Sequence, residues 1–167
     1  MVFNSNNLEN TVGQIKESSK IHQQDCLICI PEDCKIDLIH FIELLNEAEI
    51  SFVGTIFPSI FNQEDCYTDK ILVKFFNFKE DAIYLDQKSI YKPDSIFAEI
   101  KRREANSLLM FCDPYTENLS TLLIQLFNTF GDNLGIAGAC TSQVTNRFNG
   151  NIFNSEGIHK DLSLIHI

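Results

Sequence analysis

Between Asn106 and Asp161 an apolar strand, an acidic turn, a strongly periodic helix and a strand of small residues follow one another, an order that points to a layered α/β fold. Ser107-Leu108-Leu109-Met110-Phe111-Cys112 reads as a buried strand that ends at Asp113. Leu119, Leu122, Leu123, Leu126, Phe127 and Phe130 then recur at the spacing of one helix face. Asn118 is placed to cap that helix, and Gly131 suits the left-handed position that closes it. Ile136-Ala137-Gly138-Ala139-Cys140-Thr141-Ser142 is expected to be the next strand, with small residues at its end, before Gly150-Asn151-Ile152-Phe153 and Gly157-Ile158-His159-Lys160-Asp161.

The upstream half has the same grammar. Residues 1–7 are polar and expected to fray, and Leu8, Val12 and Ile15 suggest a short helix. Cys26 to Ile30 is an apolar run stopped by Pro31. After an Asp37 cap, Leu38, Phe41, Ile42 and Leu45 form a helix face widened by Leu44 and Ala48. Ile50 to Val53 reads as a strand stopped at Gly54. In Asp69 to Phe78, Ile71, Val73 and Phe75 alternate with their neighbours, which is the pattern of a strand with one buried face. A shorter strand is expected over Ala82 to Leu85, and Pro93-Asp94 opens a helix carrying Ile96, Phe97 and Ile100. The expected architecture is a mixed β-sheet with helices packed on its faces, as an N-terminal part of a larger domain.

A chain of 167 residues with 44% apolar content and 14 Phe is expected to fold as one domain around a real core. A net charge of −10 disfavours nucleic acid and anionic membrane as partners, because both require clustered cations. The one basic run, Lys101-Arg102-Arg103, lies between Glu99 and Glu104 and reads as a solvated helix face. The N-terminus lacks a basic region followed by an apolar stretch, and no run approaches spanning length, so a cytoplasmic location is expected. In that reducing compartment the six cysteines read as free thiols.

The order of these elements resembles the N-terminal half of the FIST domain, a sensory module of intracellular signalling proteins, over about residues 25 to 161. Three elements carry the likeness. They are the strand ending at Asp113, the Ile136 to Ser142 segment in place of a glycine-rich turn, and Phe52-Val53-Gly54-Thr55-Ile56-Phe57-Pro58-Ser59-Ile60-Phe61, which resembles the family's Gly-x-x-Phe-Pro element. Pro114 stands where the family has glycine, and Ala137 and Thr141 replace glycines of the second turn. The resemblance implies a non-catalytic module that binds small molecules such as amino acids and acts with a signalling protein or domain encoded downstream. The FIST-like half of F-box proteins offers a different role, that of an interaction scaffold.

Gly54, Asp113 and the Gly138 to Ser142 segment each follow an expected buried strand, and ligands of open α/β sheets sit beyond the carboxyl ends of strands. Gly54, Asp113, Gly138, Thr141 and Ser142 are therefore the candidate ligand residues. Asp113 would accept from an ammonium or hydroxyl, and Thr141 and Ser142 would donate to a carboxylate. Turn formation and close packing are the competing explanation for the same residues.

Cys26-Leu27-Ile28-Cys29, with His22 and Cys34 nearby, has the spacing of a zinc or redox site. Residues three apart on a strand point to opposite faces, so neither a metal nor a cofactor is assigned. A hydrolase would use Cys140 as nucleophile, His159 as base and Asp113 as orienting acid, but a small cysteine buried in a tight strand end is the preferred explanation of Cys140, and no catalytic residue is assigned. The terminal Leu162-Ser163-Leu164-Ile165-His166-Ile167 is the in-frame translation of a sequencing-library transposon end, CTGTCTCTTATACACATC. The natural reading frame is therefore expected to be lost after about Asp161, with a genuine terminal strand as the alternative.

Overall fold

The computed structural model describes residues 1–22, 24–62, 65–76, 83–85, 90, 92–112, 117–141, 148, 150–160 and 163–166. They belong to two compact units, one of residues 1–77 and 142–160, the other of residues 78–141 and 161–167.

The first unit is built on a six-stranded mixed sheet. Its strands are β1 (Val2–Asn4), β2 (Asp25–Pro31), β3 (Phe52–Phe57), β6 (Lys70–Phe76), β10 (Ile152–Asn154) and β11 (Gly157–His159), in the order β1-β6-β2-β3-β10-β11. The parallel pair is β2 with β3, in register from Cys26 opposite Phe52 to Pro31 opposite Phe57. Helix α2 (Leu38–Glu47) connects them, the solution that parallel neighbours require. The other pairings are antiparallel, and β4 (Ile60–Asn62) and β5 (Asp65–Tyr67) form a separate ribbon.

One face of this sheet meets α1 (Leu8–His22) and α2. Val12 and Ile15 from α1 and Leu38, Phe41, Ile42 and Leu45 from α2 close over Cys26, Ile28, Ile30, Phe52, Ile56, Ile71, Val73 and Phe153. Full burial of such side chains contributes roughly 1.5–3 kcal/mol each. The helix face expected of α2 is thus the one buried, and Asp37 caps it by accepting from the His40 N–H at 3.1 Å.

Three expectations change. Residues 1–7 do not fray: β1 pairs with β6, the Met1 ammonium donates to the Val73 carbonyl at 2.7 Å, and Phe3 is buried. Asn7 Oδ1 accepts from the Asn10 N–H, and the helix that follows is 15 residues long, not short. The strand expected to stop at Gly54 instead runs through it to Phe57.

The second unit holds a four-stranded sheet in the order β7-β12-β8-β9, from β7 (Ile83–Leu85), β8 (Ser107–Cys112), β9 (Gly135–Cys140) and β12 (Ser163–His166). The strands β8 and β9 are parallel and joined through α4 (Leu119–Phe130), and the terminal strand β12 pairs antiparallel with β7 and β8. Helix α3 (Asp94–Arg102) adds Ile96 and Ile100 to a core with Leu108, Met110, Cys112, Leu122, Leu126 and Leu134. Asp94 is the first residue of α3 rather than its cap, a position held by Pro93 without a side-chain bond. Asn118 precedes α4 in the left-handed region at φ 63° and makes no capping bond. Gly131 closes α4 with a positive φ of 54°, but its ψ of −137° takes it out of the left-handed helical conformation expected of it.

The basic run is solvated at Lys101 and Arg102 but largely covered at Arg103. Glu99 accepts from Arg102 Nη2 at 2.7 Å and from Arg103 Nε at 2.8 Å, and the Arg103 side chain keeps 11% exposure against 58% for Arg102. The stripe of α4 also divides. Leu122 and Leu126 are fully buried, whereas Leu123 and Phe127 are exposed.

Candidate functional site

In the first unit the start of α2 and the hairpin β10–β11 enclose a groove of ≈ 730 Å³. Each wall has a local cause in the sequence. Asp37 ends the extended segment before α2 and turns the chain into the helix, which sets Leu38, Ile39, Ile42, Glu43 and Asn46 along the groove. Opposite, Asn154 Oδ1 accepts from the Glu156 N–H at 2.9 Å, and Gly157 takes φ 135°, a value that side-chain-bearing residues rarely adopt. That turn places Ser155, Glu156, Gly157 and Ile158 on the second wall. Asn46 Nδ2 donates to the Ser155 carbonyl at 2.9 Å and ties helix to hairpin.

The floor is apolar, with Ile36, Leu38, Ile42 and Phe148 buried beneath it. The rim is acidic. Asp37, Glu43 and Glu156 line it, all exposed, and no Lys or Arg is among the described lining residues. His40 Nδ1 stands 3.6 Å from Glu43 Oε2. Among the described lining residues the one side-chain hydroxyl is that of exposed Ser155.

The residues expected to bind ligand are distributed differently. Gly54 lies inside β3, paired with Ile28 on one side and Phe153 on the other, and a Cβ there would enter the Phe153 ring. Its missing side chain admits that ring into the core. Gly138 is likewise inside β9 rather than in a turn, and a Cβ there would collide with the Met110 carbonyl of β8. Thr141 is fully buried just past β9, and both its N–H and its hydroxyl donate to the Cys112 carbonyl, at 2.7 and 3.2 Å. The donor expected to meet a ligand carboxylate is committed within the protein. Asp113 and Ser142 lie outside the described residues. Gly54 belongs to the first unit and Gly138 and Thr141 to the second.

Cys26 and Cys29 are buried in β2. Burial, reinforced by the Asp25 carboxylate, pushes the Cys26 thiol up to about 12, and burial does the same to Cys29. Both stay protonated at neutral pH, unlike the thiolates of metal or redox sites. Among the described residues no group of three or more His, Cys, Asp or Glu is arranged to hold a metal ion. Cys140, expected to be buried, is exposed, as is every residue of β9. His159 Nε2 is engaged with Asn154 Oδ1 at 2.7 Å and so helps to hold the hairpin.

No helix among the described residues is long and apolar enough to cross a membrane. Comparison with known proteins returns no match to a family model, a curated protein or a solved structure.

The groove was hidden from sequence reasoning because its walls come from segments about 110 residues apart. Two local signals mark them: the Asp37 cap, and Asn154-Ser155-Glu156-Gly157 between two short apolar runs, which is a hairpin turn in composition.

Proposed function

We propose that the chain is a non-catalytic, small-ligand-binding module of cytosolic signal transduction. The observation that carries this is the groove between α2 and the β10–β11 hairpin, whose volume lies within the roughly 300–1,000 Å³ typical of small-molecule sites. Its apolar floor with few polar groups at the edge is the usual composition of such sites. The resemblance to the FIST domain supports the signalling context, with the output passed to a protein or domain encoded downstream.

A thermal-shift screen of small metabolites, amino acids included, tests the reading. Hits should raise the melting temperature of the wild-type chain and lose their effect in Ser155→Trp, where an exposed residue is replaced by one that fills the groove. If hits act equally on both proteins, or if none arises, the groove is not a ligand site.

A second reading, a protein-interaction scaffold, is favoured by a different observation. On the second unit Leu123, Ile124 and Phe127 of α4 and Ile136 of β9 are exposed. Apolar side chains clustered on one helix commonly mark a contact surface. This reading predicts concentration-dependent association in sedimentation that Phe127→Glu abolishes.

A further inference from the structure

We propose that the groove selects an organic cation, an ammonium or guanidinium carried on an apolar body. This rests on the small-ligand reading above and names its chemical class. The apolar body belongs on the floor made by Leu38, Ile42 and Phe148, and the charge belongs at the rim among Asp37, Glu43 and Glu156.

The sign of the site follows from comparing its charges. The start of α2 contributes a positive partial charge of about half a unit, which favours an anion. Against it stand three carboxylates, and among the described lining residues there is no Lys or Arg to offset them. One of the three, Asp37, already accepts from the His40 N–H and so satisfies part of the helix end. Among the described lining residues the balance is negative, in keeping with a chain whose net charge is −10. An open groove with separate apolar and acidic parts therefore suits an amphipathic cation, whereas the carboxylate of a zwitterionic amino acid would meet three like charges. The expectation of amino-acid ligands is thereby narrowed to amines without a carboxylate.

Isothermal titration calorimetry of the full chain at low salt, with three probes that share a phenyl body, is the test. Phenethylamine carries a positive charge, phenylalanine is zwitterionic, and 3-phenylpropanoate is negative. Phenethylamine should bind at least tenfold more tightly than phenylalanine, and 3-phenylpropanoate should give no heat. The exposed double replacement Glu43→Gln with Glu156→Gln should weaken phenethylamine at least tenfold, as should raising the salt, and Ser155→Trp should abolish its binding. If phenylalanine or 3-phenylpropanoate binds as well as the amine and loses binding in Ser155→Trp, the groove is a ligand site but the cation assignment is wrong. The assignment also fails if the amine binds the double variant as tightly as the wild type. If no probe gives heat with the wild-type chain, both the assignment and the small-ligand reading fall.

Discussion

A hydroxyl buried without an acceptor forfeits its hydrogen bonds to water, and Thr55 Oγ1 in β3 is in that position among the described residues. The cost of such a group is about 1–3 kcal/mol, while an apolar replacement of the same shape is close to neutral or better. Thr55→Val should therefore raise stability by about 1 kcal/mol, measured by urea unfolding. A loss of that size would mean that the hydroxyl is satisfied. The cysteines separate just as sharply. Cys66 and Cys140 are exposed, and Cys26, Cys29, Cys34 and Cys112 are buried. Maleimide labelling of the native chain should modify two of its six thiols rapidly and the others only on unfolding. Rapid labelling of Cys26 or Cys29 would contradict their burial and high pKa. The legibility of residues follows how local their roles are. Asp37 shows as a cap because the bond it accepts lies three residues away. Gly54 reads as a strand stop because glycine weakens strands, yet its role is set by Phe153, far along the chain.

Elements with many periodic residues were legible, so α2, β2, β6, β8 and α4 lie where their patterns put them. Which part of a pattern is buried was less legible, as α4 shows. Leu126 is fully buried and Phe127 keeps 65% exposure, although both belong to one stripe. Leu126→Ala should cost about 2–5 kcal/mol, as emptying a core leucine does. Phe127→Ala should stay within about 0.5 kcal/mol, as at other exposed positions. Equal losses in urea unfolding would show that the whole stripe is core. Strand β1 escaped notice because three residues carry no periodicity and its partner β6 is remote in sequence. The closures of α2 and α3 escaped notice for another reason: Glu49 and Glu104 occupy the left-handed position where glycine is the usual signal. At the end of α3, hydrogen bonds from Arg102 and then Arg103 hold the Glu99 carboxyl at about 2, below its ordinary 4.5. A depressed carboxylate stabilises the folded state fully above its unfolded pKa, so this contribution is present above pH about 4.5 and lost as pH falls through about 2. A carbon-detected NMR titration should give Glu99 a midpoint well below 4.5, and Glu99→Gln should remove that acid-range dependence from the stability curve. A Glu99 midpoint near 4.5 would mean that the two arginines do not hold it.

For the whole molecule, the expected α/β architecture of mixed sheet and covering helices is observed, while its division into two compact units is not evident from composition. Their chain segments interleave, with residues 142–160 returning to the first unit, so no linker composition marks a boundary. The same return creates the site. The β10–β11 hairpin joins the edge of the first sheet beside α2, and the groove exists only once that long-range pairing has formed. Amide NMR spectra of the full chain titrated with phenethylamine are the sharpest probe of the amphipathic cation proposed for this groove. Saturable shifts are expected to concentrate at Ile39, Glu43, Asn46, Ser155, Glu156 and Gly157. Shifts that are absent at saturating amine, or that fall on α4 and β9 with the groove residues unmoved, would contradict that proposal.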